Sequence, residues 1–335
     1  MSNIFKFHGI GQGLFYSGSI DDNKFNFIYD CGGSKEKLEK EIETLGNKDI
    51  DFLVISHLHD DHINGLPILL SRTNIKRIYL PYFNTNYPNV LKALLINNNI
   101  TPNTENYALI LRLYRIGNSI DAPNQLMNFI NFQMLEVVNE EKAEPIKFYD
   151  WNFNFYNINI TEESLKALSD DLEILLEAEK VVSIEEYFTK ECEKKRQNSK
   201  YTLCKDLKYI FNKLYNDLNF SSIVLMHWGR FCTIKKTLLT GDVRFDEDLQ
   251  KRVLDDITAN DRLILQVPHH GALDEWKALW EPSNHSMKSQ IDKFVFSFGR
   301  NNRYHHPFCE VLDDLFQSTT NDKIQFVYEG KSFEY

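Results

Sequence analysis

The chain has 335 residues, of which 42% are hydrophobic, enough to bury a sizeable core in one large domain or two smaller ones. Its formal net charge of −10 argues against a broad electrostatic attraction to nucleic acid, because that attraction needs clusters of Lys and Arg. The five cysteines are odd in number and form no C-x-x-C pair, so we expect free thiols in a reducing compartment.

The N-terminal segment has the pattern of strands rather than of a targeting signal. Strands are predicted over residues 3–8, 13–20 and 24–30, with a glycine-rich hairpin turn after the first, and an amphipathic helix over 36–45. The segment shows no signal peptide, and no apolar run in the chain is long enough to span a membrane. We therefore expect a cytoplasmic protein.

The most informative stretch is His57-Leu58-His59-Asp60-Asp61-His62, which follows a short apolar run typical of a buried strand and precedes a predicted helix. Open α/β sheets place their ligands at such strand-to-helix junctions. Neutral imidazole and carboxylate are ligands that Zn²⁺ prefers. A polar loop with chance histidines is the alternative, but it leaves the spacing behind a buried strand unexplained. The stretch predicts a metal site.

This stretch resembles the His-x-His-x-Asp-His signature of the metallo-β-lactamase fold. The segment 27–33 resembles the strand and turn before the first helix of that fold, and 238–242 resembles the later strand that supplies a metal-bridging aspartate. The segments 266–271, with its His-His-Gly, and 302–307, with its His-Pro, resemble one branch in particular. That branch contains the hydrolase domain attached to the DNA-uptake channel protein of competent bacteria.

The resemblance implies a four-layer αββα sandwich formed by one domain over residues 1–335, and a site that binds one or two Zn²⁺ ions, with Mn²⁺ as another possible metal. It also implies a role for each candidate residue, and these roles are given together. His57 and His59 would bind one ion, Asp61, His62 and one histidine of the pair 269–270 the other, and Asp242 would bridge both. His270 is the favoured ligand of that pair, with His269 contacting the substrate, and the reverse assignment is the alternative. Asp30 would support the histidines, and His306 would donate a hydrogen bond or a proton to the leaving group. Asp61, His269 and His306 are thus the predicted catalytic residues.

One position departs from the pattern. Most two-metal members carry a further histidine before the strand predicted at 222–226, and Asn219 stands there in this chain. The ion held by His57 and His59 would then lack one strong ligand. We expect it to bind weakly, or only together with substrate.

The middle of the chain is harder to interpret. Residues 106–116 fit a strand or a helix, and residues 129–138 and 147–157 are predicted strands. The aromatic residues Tyr82, Phe83, Tyr87 and Tyr107 either line a substrate cleft or pack in the core. Residues 161–218 are predicted to form a helical insertion that begins at a Thr161 cap. It is either a lid, a homodimer or partner contact, or additional packing over the core.

The resulting functional hypothesis is a metal-dependent phosphodiesterase, a nuclease or nucleotide hydrolase that uses a metal-activated water. The acidic charge favours a small phosphodiester over long duplex DNA, although nucleic acid stays a possible substrate. A hydrolase of a thioester, lactone or lactam on the same metals is the first alternative. A partner-dependent effector subunit of a multi-gene system, for example in defence against phage, is the second.

Overall fold

The computed structural model describes residues 2–46, 48–81, 83–84, 86–114, 133–134, 145–158, 160–212, 222–229, 235–280 and 285–335. Its strands are β1 (Ile4–Phe7), β2 (Phe15–Ile20), β3 (Phe25–Cys31), β4 (Asp49–Ile50), β5 (Phe52–Val54), β6 (Asn74–Ile75), β7 (Ile78–Leu80), β8 (Gln133–Met134), β9 (Ile146–Phe148), β10 (Trp151–Tyr156), β11 (Val224–Gly229), β12 (Lys235–Leu239), β13 (Arg262–Gln266), β14 (Ile291–Ser297), β15 (Ile324–Val327) and β16 (Phe333–Glu334).

The α-helices lie between these strands. They are α1 (Lys35–Leu45), α2 (Asp60–Ile63), α3 (Leu66–Arg72), α4 (Pro88–Asn97), α5 (Glu105–Leu113), α6 (Glu162–Glu179), α7 (Ile184–Gln197), α8 (Lys205–Asn212), α9 (Glu247–Asp255), α10 (Leu273–Trp280), α11 (His285–Gln290) and α12 (Cys309–Ser318). Two short 3₁₀ helices, Pro268–Gly271 and Asn321–Lys323, complete the described helical structure.

Two seven-stranded sheets contain most of the strands. The first has the order β16-β1-β2-β3-β5-β7-β8 and the second β15-β14-β13-β12-β11-β10-β9, while β4 and β6 form a separate parallel pair. Strands β3, β5 and β7 run parallel to one another, as do β12, β13, β14 and β15. Parallel strands bring their carboxyl ends to one edge of a sheet, which is where ligand sites form.

The two sheets pack against each other through aromatic side chains. Successive residues of a strand point to opposite faces, so Phe27 of β3 faces the second sheet while Ile28 faces the helices. The Phe27 ring lies 5.2 Å from Phe52 and 5.0 Å from Phe153 of the second sheet, measured between centroids. All seven residues of β3 are buried, as expected for a strand covered on both faces.

Helices cover the outer face of each sheet. Helices α1 to α8 share one apolar core with the outer face of the first sheet. Helices α9, α10 and α12 share another with the outer face of the second sheet. The layers therefore run helix, sheet, sheet, helix, and the predicted four-layer αββα architecture is confirmed.

The predicted helical insertion lies over α4. Helices α6, α7 and α8 fall within residues 161–218, and the Thr161 hydroxyl accepts a hydrogen bond from the Ser164 N–H, as expected of a helix cap. The carboxylate of Glu185 in α7 accepts a hydrogen bond from the Tyr107 hydroxyl at 3.1 Å and forms an ion pair with Lys92 at 2.8 Å. The described helices thus extend the outer layer, and residues 213–218 lie outside the described part.

Several ambiguous predictions are now decided. Residues 105–113 form the helix α5, and Phe83 and Tyr107 are buried in the helical core rather than in a cleft. The predicted strand 147–157 corresponds to the hairpin β9–β10. Of the predicted strand 129–138, only β8 lies within the described residues. Tyr82 and Asn219 lie outside them. The four described cysteines are free, and no described helix is both long and apolar enough to cross a membrane.

Candidate metal centre

The candidate residues converge where parallel strands end. The stretch 57–62 follows β5, and the segments that contain Asp242, His269–His270 and His306 follow β12, β13 and β14. Strand β5 belongs to the first sheet and the other three strands to the second, so the site lies at the shared edge of the sandwich. The strand-to-helix junction predicted from sequence is present, since α2 begins at Asp60.

Close backbone packing fixes the motif in place. A Cβ added at Gly32 would overlap the backbone carbonyl of Asp61, and one added at Gly13 would do the same. The Leu14 N–H donates to that same carbonyl at 3.2 Å. The predicted glycine-rich turn and the end of β3 therefore hold the backbone of Asp61 and His62 between them, and only glycine permits this approach.

Asp242 lies between two groups of potential ligands. Its Oδ1 atom is 3.2 Å from His62 Nε2, and its Oδ2 atom is 3.5 Å from His57 Nε2 and 3.8 Å from His59 Nδ1. His57 Nε2 and His59 Nδ1 are 2.8 Å apart. The two carboxylate oxygens therefore face different sets of nitrogens, an arrangement in which one carboxylate can contact two ions.

The second group brings Asp61, His62 and His270 together. The ligand atoms of these three residues lie within 4.8 Å of one another, and Asp61 Oδ2 is 3.3 Å from His270 Nε2. His270 Nδ1 lies 2.6 Å from the backbone carbonyl of Ser297, so a proton there leaves the Nε2 lone pair directed at the site.

Asp30 and Ser56 orient the histidines from behind. Asp30 is fully buried, and its carboxylate accepts hydrogen bonds from the Ser56 N–H and hydroxyl, both at 2.6 Å. Its Oδ2 atom is also 2.7 Å from His62 Nδ1. This contact keeps the Nδ1 proton on the Asp30 side, so that Nε2 faces Asp242. Asp30 thus occupies the supporting position expected of it.

Two residues with a structural role at the site had no predicted function. The Gln266 side chain accepts from the backbone N–H groups of Thr240 and Gly241, at 2.7 and 2.8 Å, and fixes the turn before Asp242. Glu275 Oε1 lies 3.0 Å from His269 Nδ1. Local sequence gives no sign of either contact, although Gln266 and Glu275 flank the predicted His-His-Gly segment.

His269 and His270 differ in exposure and direction. The His270 side chain is 2% exposed and faces Asp61, whereas His269 is 18% exposed and lines the cleft, with Nε2 3.5 Å from Asp242 Oδ2. Both have left-handed backbone, with φ of 47° and 55°. Consecutive left-handed residues are uncommon outside glycine, and here they turn both rings into the site.

Burial and mutual charge shift the pKa values of the site. Burial lowers the pKa of His57 to about 3, helped by charge on His62. Burial also acts to lower the pKa of His62. The carboxylates of Asp242 and Asp30 outweigh this effect of burial and raise the pKa of His62 above its ordinary value. Burial lowers the pKa of His306 to about 4.

The donor set fits a divalent metal ion. The buried atoms His62 Nε2, Asp242 Oδ1 and His270 Nε2 have no hydrogen-bond partner among the described residues. Zinc ligands at about 2.1 Å from the metal in a tetrahedral arrangement lie roughly 3.4 Å from one another. The separations of 3.2, 3.3 and 3.5 Å around Asp242 and Asp61 match that spacing. A cation there would also compensate the buried carboxylates.

The centre lies in a cleft of about 910 Å³. The lining residues are mostly polar: Gln12, Gly33, Ser34, His59, Asp60, Asp61, Asn64, Asn97, Asn98, Asn99, Asp242, His269, His270, Asn302, Arg303, Tyr304, His306 and Glu329. The described helices of the insertion contribute no residue to this lining. The structure therefore gives no support for a lid formed by that part of the insertion. His306 reaches the cleft from the loop after β14, as predicted.

Comparison with known families agrees with this architecture. A family model described as the metallo-beta-lactamase superfamily matches residues 16–99, which include most of β2, all of β3 and β5, and the whole His57–His62 stretch. The chain has the metallo-β-lactamase fold. Within this fold, the matched segment is the part that supplies one wall of the candidate metal centre, and the remaining ligands come from the second sheet.

Similar chain layouts occur in solved structures at low identity. The metallo-beta-lactamase fold protein YhfI from Bacillus subtilis is 10% identical, with 99% of this chain and 98% of that chain covered and a TM-score of 0.47. Yeast PDE1 is 12% identical, with 99% of each chain covered and a TM-score of 0.47. The isothiocyanate hydrolase from Delia radicum gut bacteria is 11% identical, with 99% and 98% covered and a TM-score of 0.48. Comparison with curated proteins found no match. Likenesses of this size do not indicate a substrate.

Proposed function

We propose that the chain is a metal-dependent phosphodiesterase that acts on a small phosphodiester. The observation that carries the proposal is the position of Asp242, whose Oδ1 faces His62 and whose Oδ2 faces His57 and His59. Centres with two ions a few ångströms apart stabilise both the attacking and the leaving oxygen of a phosphoryl displacement. The resemblance of the His-His-Gly and His-Pro segments to the DNA-uptake branch supports the same class of substrate.

The proposed ligand set follows from the contacts. His57 and His59 would hold one ion, Asp61, His62 and His270 the other, and Asp242 would contact both. Zn²⁺ suits this mixture of imidazole and carboxylate, and Mn²⁺ is also compatible with it. When bound, such ions would lower the pKa of a water toward 7 and stabilise negative charge on the phosphoryl oxygens.

The remaining residues of the cleft would position the substrate. His269 lines the cleft while its Nδ1 atom is held near Glu275, so its exposed edge is available to a phosphoryl oxygen. His306 lines the cleft beside His269, with ring centroids 5.3 Å apart, and would donate a hydrogen bond to the leaving oxygen. The two neighbouring histidines would therefore contact the phosphoryl group together.

The charge of the cleft makes metal a condition for binding an anion. Asp60, Asp61, Asp242 and Glu329 line it, and Arg303 is the one Lys or Arg among the described lining residues. Without metal, the excess of carboxylates would repel a phosphodiester. Two divalent ions would reverse the sign of the local charge, because each adds two positive charges. The affinity for the substrate should therefore depend strongly on bound metal, whereas access of the substrate to the cleft should depend on it less.

A substrate panel tests the proposal. Metal-free protein would be loaded with Zn²⁺ or Mn²⁺ and assayed with bis-p-nitrophenyl phosphate, and in parallel with a thioester, a lactone and a β-lactam. We expect metal-dependent hydrolysis of the phosphodiester, loss of at least about 100-fold in Asp61→Asn, and full activity in the surface control Asp206→Asn. Turnover of an acyl substrate with no phosphodiester hydrolysis would overturn the proposal.

A further inference from the structure

Arg303 has a distinctive place in the cleft. It is the one Lys or Arg that lines the cleft among the described residues, in a chain whose net charge is −10. Asp60 and Glu329 line the same mouth, so the cleft outside the metal centre favours an anionic group at one position only. The other residues that line the cleft include amides, among them Asn97 and Asn99.

The Arg303 guanidinium is held in a defined position although it is exposed. It donates to the Tyr304 hydroxyl at 2.6 Å and lies 4.8 Å from the centroid of the Tyr304 ring. A guanidinium fixed over an aromatic ring has lost part of its rotamer freedom before a ligand binds, and its remaining N–H groups keep the planar fork that matches phosphate oxygens.

The loop that carries Arg303 is fixed relative to the metal centre. The Asn302 side chain accepts from the N–H groups of Tyr304 and His306 and donates to the carbonyls of Gly299 and His306, at 2.7 to 3.1 Å. The Tyr304 ring stacks beside the His306 ring, with centroids 6.0 Å apart and planes 29° apart. These contacts hold Arg303 and His306 in one fixed loop conformation. The fold therefore sets the distance between Arg303 and a phosphate bound at the metal centre.

From this geometry we infer that Arg303 and Tyr304 form a subsite for a second phosphate of the substrate, apart from the phosphate that the metal centre holds. The inference rests on the proposed phosphodiesterase function and narrows its substrate to a phosphodiester that carries a second phosphate, such as a short strand with adjacent phosphodiesters. A cleft of about 910 Å³ accommodates such a ligand. Arg303 is thus a specificity residue rather than a catalytic residue.

The sequence offers a matched control for this subsite. Arg300 lies three residues earlier, and its guanidinium is 5.1 Å from the centroid of the Tyr328 ring, so it forms the same kind of stacked pair. It does not line the cleft among the described residues. Arg300→Met and Arg303→Met therefore remove the same charge and the same stacking from neighbouring positions, but only the second removes the subsite.

Equilibrium binding is the direct test. Calorimetry on Zn²⁺-loaded protein would compare thymidine 3′,5′-bisphosphate with thymidine 5′-monophosphate, which differ by one phosphate. We expect the wild type and Arg300→Met to bind the bisphosphate about tenfold more tightly, because a bidentate charged pair contributes on that order. In Arg303→Met the preference should fall to about one, while hydrolysis of bis-p-nitrophenyl phosphate stays within about threefold of wild type.

The outcomes separate this inference from the proposed function. A wild type that hydrolyses bis-p-nitrophenyl phosphate but binds both nucleotides equally would overturn the subsite and leave the phosphodiesterase standing. An Arg303→Met variant that keeps the tenfold preference, or an Arg300→Met variant that loses it as well, would also overturn the subsite. A metal-loaded wild type that binds neither nucleotide and hydrolyses no phosphodiester would overturn both.

Discussion

Asp30 provides the sharpest perturbation of the proposed metal centre, because it contacts the proposed ligand His62 without itself being a proposed ligand. Asp30→Asn keeps the size of the side chain and removes its charge. The carboxylate accepts three hydrogen bonds, from the N–H and hydroxyl of Ser56 and from His62 Nδ1. An amide has only one acceptor atom, so its NH₂ group must face at least one of these donors.

The expected magnitudes follow from these contacts. Each buried donor that loses its acceptor costs about 1–3 kcal/mol, and the Asp30 site is fully buried, so the free energy of unfolding should fall by about 2–4 kcal/mol. His62 would also lose the contact that keeps Nε2 directed at Asp242. Removal of a carboxylate behind a histidine ligand typically lowers metal affinity 10- to 100-fold, and we expect that range here.

Asp261 supplies the control for this experiment. It is 2% exposed and accepts from the Thr258 N–H at 2.6 Å and from Lys236 Nζ at 3.0 Å, and it precedes β13, whereas His269 and His270 follow the other end of that strand. Urea unfolding and competition with a chromophoric zinc chelator would be measured for both variants. Both should lose stability, but only Asp30→Asn should lose zinc affinity. Zinc binding by Asp30→Asn within threefold of wild type would refute the reasoning.

Three further changes have defined outcomes. Gly32→Ala places a Cβ against the backbone of the metal-binding stretch, so zinc affinity should fall at least tenfold in the chelator competition. The hydrogen bond from His8 lowers the pKa of Glu41 from 4.5 to about 2, so its stabilisation exists above pH 4.5 and is lost as the pH falls toward 2. Glu41→Gln should therefore cost about 1–2 kcal/mol at pH 7, after allowance for partial exposure, and less at pH 4 in urea unfolding. Asn302→Ala removes the hydrogen bonds that hold the His306 loop, so steady-state kinetics should show kcat/KM about tenfold lower with zinc affinity unchanged.

Each of these has its own control. Gly46→Ala meets open space, so it tests whether a glycine change away from the stretch 57–62 also lowers zinc affinity. Glu36→Gln breaks only an exposed pair with Lys40, and should leave stability nearly unchanged at both pH values. Equal costs of Glu41→Gln at pH 7 and pH 4 would contradict the linkage argument. A lower zinc affinity in Asn302→Ala would show that the loop supports the metal ligands.

The fold was predictable because its signals are local. The mostly apolar run of β3, the short apolar run of β5 and the helical stripes of α6 and α8 are each contained within one element, so local sequence identifies them. Residues 106–116 were ambiguous because an apolar run of that length satisfies both periods. The packed position of Tyr107 depends on contacts with the insertion, about 80 residues away along the chain, which no local pattern contains.

The candidate site was predictable to the extent that it lies in motifs. The structure brings together the stretch 57–62, Asp242, His269–His270 and His306, although their metal binding stays a prediction. The supporting contacts were not predictable from spacing. The hydrogen bond from Ser56 to Asp30 spans 26 residues, and Gln266 fixes the turn before Asp242 across a similar distance. Such contacts depend on the register of neighbouring parallel strands, β3 with β5 and β12 with β13.

The measurement that tests the central claim most directly is a zinc titration of metal-free protein, with bis-p-nitrophenyl phosphate turnover followed at each ratio of metal to protein. We predict that turnover rises with bound zinc and levels off at one or two ions per chain, and that Asp242→Asn, which removes the shared ligand, neither retains zinc nor turns over the substrate. Turnover that persists after complete metal removal, or protein that retains no zinc at micromolar concentration, would contradict the account.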